Sequence, residues 1–134
     1  MKTTAALLAL SLSLLVSSCT TCPLGHKSVK AGGIEHVVLI WLKNPGNPSD
    51  RAAVIASANK FRAEIPEVLN LSVGTALPSD RPVVDDSFDV GLVIRFADQA
   101  ALSRYEKSAI HQQAVKDTLK PVSKKLLVYD IVTQ

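Results

Sequence analysis

The segment IEHVVLIWLK, from Ile34 to Lys43, most constrains how this chain can fold. It is rich in β-branched and other apolar residues, which predicts a β-strand. Apolar residues occupy both alternations of this strand, so neither of its faces is suited to water. His36 is a polar exception on the face that also carries Val38 and Ile40. The fold must therefore cover both sides of the sheet around this strand.

Apolar spacing and turn residues predict the other elements. Val54 and Phe61 recur at the spacing of one helix face. We expect Ser49 or Asp50 to cap the start of this helix, and Pro66 to end it. The predicted elements that follow are strands at 70–77 and 88–96, a helix capped by Asp98, a helical piece at 110–119 that ends at Pro121, and a strand at 126–132.

The resulting order is β-α-β-β-α-β, which predicts an α+β, ferredoxin-like domain. In that arrangement the helices cover one face of a four-stranded antiparallel sheet. The other face would carry Val37, Leu39 and Trp41 from the first strand, together with the neighbours Asp89, Gly91, Val93 and Arg95. Because this second face is too apolar to be left to water, we expect the sheet of a second subunit to cover it in a twofold homodimer.

The residues before this domain are typical of a secretory signal. Residues 1–18 contain Lys2 and twelve apolar or small residues from Ala5 to Val16, which is too short to span a bilayer. The ending Val-Ser-Ser-Cys resembles the lipobox of bacterial lipoproteins, which implies a lipidated Cys19, a tether at 19–33 and a domain at 34–134. Ordinary cleavage, with Cys19 free to pair with Cys22, is the alternative. Thr20 after the cysteine resembles an outer-membrane lipoprotein that faces the periplasm from the cell envelope.

Composition argues against several functional classes. The 15 lysine and arginine residues include Lys2, so 14 remain against 12 acidic residues in the mature chain, a net charge of +2. These charges are scattered and aromatic residues are few, so we expect no nucleic-acid partner. Cys22 and His26 form only half of a metal-site pattern with Cys19, and no second pair follows. We therefore expect no metal site and no cofactor.

Three side chains are candidates for a site. Tyr105 and His111 are six residues apart, so one continuous helix would place them about 120° apart. They can converge only if the chain bends near residues 107–109, which the short Ser108 and Ala109 make plausible. His36 faces the same space between sheet and helices. The predicted ligand-binding residues are His36, Val38, Ile40, Val90 and Leu92.

The quoted first strand, with LSVGTAL, FDVGLVIRF, the run from Tyr105 to His111 and the final LLVYDIV, resembles the stress-responsive A/B barrel domain, or Dabb, family. The resemblance implies a dimeric α+β barrel. One plant branch of that family cyclises linear polyketides with a tyrosine and a histidine spaced like Tyr105 and His111. The usual Tyr-x-x-His-Pro-x-His run differs here, where Ser108 and Ala109 replace the first histidine and the proline, and Val90 replaces a histidine of the plant cyclases.

Three functional hypotheses remain open at this point. In the first, a lipid-anchored domain binds a small hydrophobic or aromatic ligand without turning it over. In the second, it is a cyclase- or isomerase-like enzyme in which His111 is the general base and Tyr105 an orienting donor. In the third, it is a structural stress-response or interaction module whose interior is filled by side chains.

Overall fold

A computed structural model describes residues 31–134 of the chain. Its elements are β1 (Ile34–Leu42), α1 (Pro48–Glu64), β2 (Asn70–Gly74), β3 (Val90–Phe96), α2 (Gln99–Lys107), α3 (Ala109–Ala114) and β4 (Ser123–Val132). Between α3 and β4 the helical path continues through a π-helical turn (Val115–Leu119) and a last short turn (Lys120–Val122). The predicted signal peptide, the predicted lipidation site at Cys19 and most of the predicted tether lie outside the described residues.

The four strands form one antiparallel sheet in the order β2-β3-β1-β4. The connections between neighbouring strands and the helices on one face confirm the predicted ferredoxin-like α+β fold. β1 lies in the centre and pairs with both β3 and β4. No helix within residues 31–134 has both the length and the apolar character that crossing a bilayer requires.

The hydrophobic core lies between the sheet and the helices. The inward side chains of β1 and β3 are buried, and α1 and α2 cover them with Val54, Phe61, Leu102 and Tyr105. Burial alternates strictly along β1, so its inward residues are buried while its outward residues stay partly exposed. This alternation follows from the two-residue period of a strand, and it places His36 in the core.

The start of α1 differs from the prediction. Asn47, rather than Ser49 or Asp50, is the N-cap, and its Oδ1 accepts hydrogen bonds of 3.0 Å from the backbone N–H groups of both predicted residues. Pro48 then occupies the first helical position, where its missing N–H group is of no consequence. The predicted stop is confirmed, because the helix ends at Glu64, two residues before Pro66.

Strands β2 and β3 are both shorter than predicted. β2 ends at Gly74, and Leu77 beyond it is 83% exposed, so the alternation of residues 70–77 overstates the strand. β3 begins at Val90 because the chain is irregular at Asp89. Phe88 therefore lies against Trp41 on the far side of the sheet, with ring centroids 6.4 Å apart, rather than beside Val90.

Asp89 was expected on the outward face of the sheet and is buried instead. Its carboxylate accepts hydrogen bonds from the backbone N–H groups of Leu42 at 2.9 Å and Gly46 at 2.6 Å. Arg51 approaches the same carboxylate at 3.3 Å. Burial alone would raise the pKa of Asp89, but these donors outweigh burial and lower it. The side chain therefore fastens the end of β1 to the start of α1.

The sheet has an open face that no described element covers. Register places Val37 of β1 between Val93 of β3 and Tyr129 of β4, and both of these neighbours are substantially exposed. Close packing on this face is visible at Gly91, where a Cβ would lie 3.0 Å from the Phe88 ring. The open face comprises Val37, Leu39, Trp41, Val93, Leu127, Tyr129 and Ile131.

Candidate functional site

A break in the helical path brings Tyr105 and His111 together. Ser108 has extended backbone angles, with ψ at 141°, so α2 ends before it and α3 begins after it. Its hydroxyl oxygen accepts a hydrogen bond of 3.2 Å from the backbone N–H group of His111, which caps α3. The tyrosine and histidine ring centroids are then 4.5 Å apart. The chain therefore bends within residues 107–109, which is the condition that the sequence sets for the two side chains to converge.

These two side chains and His36 border one cavity of about 340 Å³ between the sheet and the helices, here called the central cavity. Its deep part is lined by buried side chains of β1, β3 and α1, and its mouth by the exposed Glu106, Leu126 and Val128. The lining residues are His36, Val38, Ile40, Phe61, Leu92, Tyr105, Glu106, His111, Val115, Leu119, Leu126 and Val128.

Six of the seven predicted site residues, His111 among them, line this cavity, and Val90 does not. His36, Val38, Ile40, Leu92 and Tyr105 all line it. Val90 is fully buried in the core and pairs with Ile40 across the sheet, so the structure places it outside the lining. The helical segment after α3 adds Val115 and Leu119, which were not predicted as wall residues.

His36 has a carboxylate partner that sequence reasoning missed. The His36 residue is 7% exposed, and its Nδ1 lies 2.6 Å from Oδ1 of Asp130. The partnership follows from register, because the two residues are directly opposite on β1 and β4. A signal was available, since Asp130 is the one acidic residue in the last strand, but its use requires that β4 be placed beside β1.

The surroundings of His111 favour its neutral form. Burial lowers the pKa of His111, and the nearby His36 acts in the same direction. The hydrogen bond to the backbone carbonyl of Glu106 and that residue's carboxylate oppose the shift without cancelling it. Because a carbonyl oxygen only accepts, Nδ1 of His111 is the protonated nitrogen in its 3.2 Å contact with the Glu106 carbonyl. Nε2 of the neutral ring is then a hydrogen-bond acceptor.

The contact with Asp130 fixes the tautomer of the neutral His36 ring. An ionised carboxylate only accepts, so Asp130 holds the proton of the neutral imidazole on Nδ1 and leaves Nε2 as an acceptor. Tyr105 differs from both histidines, because burial and the neighbouring Glu106 carboxylate raise the pKa of its hydroxyl well above the usual value. It therefore keeps its proton and can donate as well as accept a hydrogen bond.

Three polar groups of the site have no hydrogen-bond partner within residues 31–134, and they are not closed off from the cavity. No side chain or backbone group in that range bonds Nε2 of His36, Nε2 of His111 or the hydroxyl of Tyr105. Among the same residues, the only fully buried side-chain nitrogen or oxygen atoms without a partner are in Arg51 and Ser123. The three groups therefore remain accessible to a molecule in the central cavity.

Two other features of the described residues are weaker candidates for a functional site. A shallow depression of about 370 Å³ on the open face is lined by Val37, Leu39, Phe88 and Val93 among others, none of which titrates. Within residues 31–134 no three histidine, cysteine, aspartate or glutamate side chains are grouped so that they could hold a metal ion. The central cavity is therefore the candidate site.

Comparison with known proteins supports this architecture. A Dabb family protein with a ferredoxin-like fold from Mesorhizobium loti is 29% identical and has a TM-score of 0.63, over 77% of this chain and 98% of its own. A dimeric ferredoxin-like protein of unknown function from Thermobifida fusca is 20% identical, with a TM-score of 0.62 over 77% of this chain and 92% of its own.

A hydroxynitrile lyase from Passiflora edulis has the same fold, with 18% identity and a TM-score of 0.68 over 78% of this chain and 96% of its own. None of the curated protein sequences matches the chain significantly. The sequence profile of the Stress responsive A/B Barrel Domain, or Dabb, matches residues 34–133. Because that match covers most of the chain, this protein belongs to the stress-responsive A/B barrel domain family.

Proposed function

We propose that this protein binds a small, largely apolar molecule in its central cavity while a lipid anchor holds it in the cell envelope. The observation that carries the proposal is the convergence of His36, Tyr105 and His111 on one cavity with otherwise mainly apolar walls. An apolar cleft with a few converging polar groups is the usual form of a small-molecule site. The volume of about 340 Å³ lies at the lower end of such sites and suits a single ring with a short substituent.

The accessible polar groups favour a binding function over a purely structural one. A structural module would fill the space beside His111 with side chains and would pair its buried polar groups internally. Here the cavity remains, and the Tyr105 hydroxyl has no partner within residues 31–134 although the residue is only 2% exposed. A bound ligand would supply the missing hydrogen bonds.

Thermal-shift and calorimetric titration with small aromatic compounds test this proposal. Val115→Phe should fill part of the cavity and weaken binding by about tenfold or more, because the added ring would occupy the space of the ligand. Lys116→Phe is the matched control, since the next residue is exposed on the same helical segment and does not line the cavity. Equal binding by both variants would contradict the assignment of the site.

The anchor is proposed from the sequence of the first 33 residues. If Cys19 carries the lipid, the residues up to Gly33 would span at most about 50 Å when extended, which keeps the domain close to the membrane. Cys19→Ser should move the protein from the membrane fraction to the periplasmic fraction. Retention of that variant in the membrane fraction would contradict the lipid anchor, and the test does not depend on ligand binding.

The open face supports a homodimer. Exposed apolar side chains such as Val93, Tyr129 and Ile131 are 43%, 51% and 53% exposed on one continuous sheet surface. Apolar patches of this kind mark interaction surfaces, and a twofold axis would bring two identical patches together. The dimeric protein from Thermobifida fusca with the same fold is consistent with this arrangement. Light scattering on the purified protein should give the mass of two chains.

Catalysis is the second candidate function, and the His36–Asp130 contact of 2.6 Å favours it. A carboxylate that fixes the tautomer of a histidine prepares the opposite nitrogen to act as a base, and His111 is held in a similar tautomer. In a cyclase- or isomerase-like reaction His111 would remove a proton and Tyr105 would donate to a carbonyl oxygen. His111→Ala should then abolish turnover of an enolisable ketone while the fold persists, and unchanged turnover would reject that role.

A further inference from the structure

The lining of the central cavity includes two histidines that can accept a hydrogen bond and a tyrosine that can donate one. With neutral rings, the partners of His36 and His111 leave both Nε2 atoms as acceptors, and the intervening Tyr105 hydroxyl can donate. The His36 and His111 rings flank that of Tyr105, at centroid distances of 6.0 Å and 4.5 Å. A ligand group that both donates and accepts a hydrogen bond would pair with an imidazole and the tyrosine together.

The same cavity offers nothing to balance a negative charge. None of its lining residues is lysine or arginine, whereas Glu106 lies at the mouth and the Asp130 carboxylate lies behind His36. A carboxylate or phosphate would lose its hydration without gaining a cationic partner, and it would face two like charges. The arrangement therefore disfavours anions.

A cation is disfavoured for a different reason. The deep part of the cavity is formed by apolar side chains such as Ile40, Phe61 and Leu92, which cannot solvate a charge. Burial in this environment lowers the pKa of His111, which means that a positive charge on the imidazole is already less stable there than in water. An ammonium group placed beside that ring would meet the same penalty.

We propose that the central cavity selects neutral hydroxyl compounds, phenols or alcohols, and rejects carboxylates and phosphates. The hydroxyl group would donate to Nε2 of one histidine and accept from Tyr105, while the apolar part of the ligand lies against the aliphatic walls. This selectivity rests on the proposed ligand-binding function and adds the chemical class of the ligand to it.

Calorimetric titration of the purified protein with four matched compounds tests this selectivity. The compounds are para-ethylphenol, para-ethylanisole, para-ethylbenzoate and para-ethylbenzylamine, which share a shape but differ in donor and charge. We expect the phenol to bind about tenfold more tightly than the anisole, because the ether cannot donate. The benzoate and the benzylamine should bind more weakly than the anisole.

Two variants and a control connect the selectivity to named atoms. His111→Leu should lower the preference for the phenol over the anisole by reducing the number of acceptors. Tyr105→Phe should weaken both compounds by a similar factor, because each oxygen loses the same donor. Gln112→Leu, an exposed neighbour on α3 outside the lining, should change neither affinity. Should His111→Leu fail to fold, the Tyr105→Phe comparison still tests the assignment.

Each other outcome overturns a defined part of the proposal. Equal affinities for phenol and anisole would remove the selection for a donor and leave the binding function intact. A benzoate that binds as tightly as the phenol would refute the rejection of anions, and a benzylamine that binds more tightly would refute the preference for neutral ligands. If none of the four compounds binds, the proposed ligand-binding function fails for compounds of this shape, and the selectivity fails with it.

Discussion

Replacing Ser108 by alanine tests how the site is assembled. The serine hydroxyl caps α3 by accepting from the backbone N–H group of His111 at 3.2 Å, and the extended angles of Ser108 separate α2 from α3. Alanine removes the cap and is also the best helix former, so it favours a continuous helix through this position. In such a helix Tyr105 and His111 would point about 120° apart.

The expected cost follows from the single lost cap. A serine-to-alanine change at an N-cap destabilises a protein by about 1 kcal/mol. For a domain of this size that corresponds to a decrease in melting temperature of about 4–8 °C. Binding of para-ethylphenol should also weaken, because the orientation of His111 is no longer fixed by the capped turn. Thermal unfolding and calorimetric titration measure the two effects separately.

Ser108→Asn is the matched control, because asparagine is an equally good N-cap residue. It should keep the melting temperature within about 2 °C of the original and preserve binding. If Ser108→Ala and Ser108→Asn behaved alike, the side-chain cap would not be what positions His111. If the alanine variant were destabilised but bound normally, the cap would stabilise the fold without orienting the site.

Three further predictions concern stability and assembly. Asp89→Ala should lower the free energy of unfolding by about 3–5 kcal/mol, because the N–H groups of Leu42 and Gly46 lose a charged acceptor. Urea denaturation measures this change, and a loss below about 1 kcal/mol would contradict the prediction. Burial lowers the pKa of His111 in the folded state, so the unfolded chain binds a proton more readily. The free energy of unfolding should therefore fall as the pH drops below about 6.5. If His111→Leu showed the same dependence of unfolding free energy on pH, this assignment would be contradicted. Val93→Arg on the open face should convert the proposed dimer to a monomer in light scattering, whereas a dimer that persists in this variant would place the interface elsewhere.

Local sequence patterns predicted most of the fold. The run of β-branched and apolar residues predicted β1 closely, and the predicted cap at Asp98 was correct. Both signals act within a few residues of the backbone that they describe. The bend at Ser108 was also predictable, since the angular spacing of Tyr105 and His111 excludes a straight helix if the two are to meet. These inferences need only the geometry of a helix or a strand.

The misplaced features depend on contacts between distant segments. Asp89 is drawn inward by the N–H groups of Leu42 and Gly46, which lie more than 40 residues earlier in the chain. The Asp130 partner of His36 becomes visible only when β4 is placed beside β1 in register. Val90 was predicted to bind the ligand but is buried in the core, because strand periodicity does not distinguish a cavity wall from the filled core beneath it.

The positions of the imidazole protons test the proposed site most directly. Nitrogen NMR of the purified protein should show that the proton of each neutral imidazole, in His36 and in His111, lies on Nδ1. Addition of para-ethylphenol should shift at least one of the two Nε2 resonances, and para-ethylanisole should leave both unchanged. A proton on Nε2 of either ring, or no response to the phenol, would contradict the acceptor arrangement on which the proposed ligand selectivity depends.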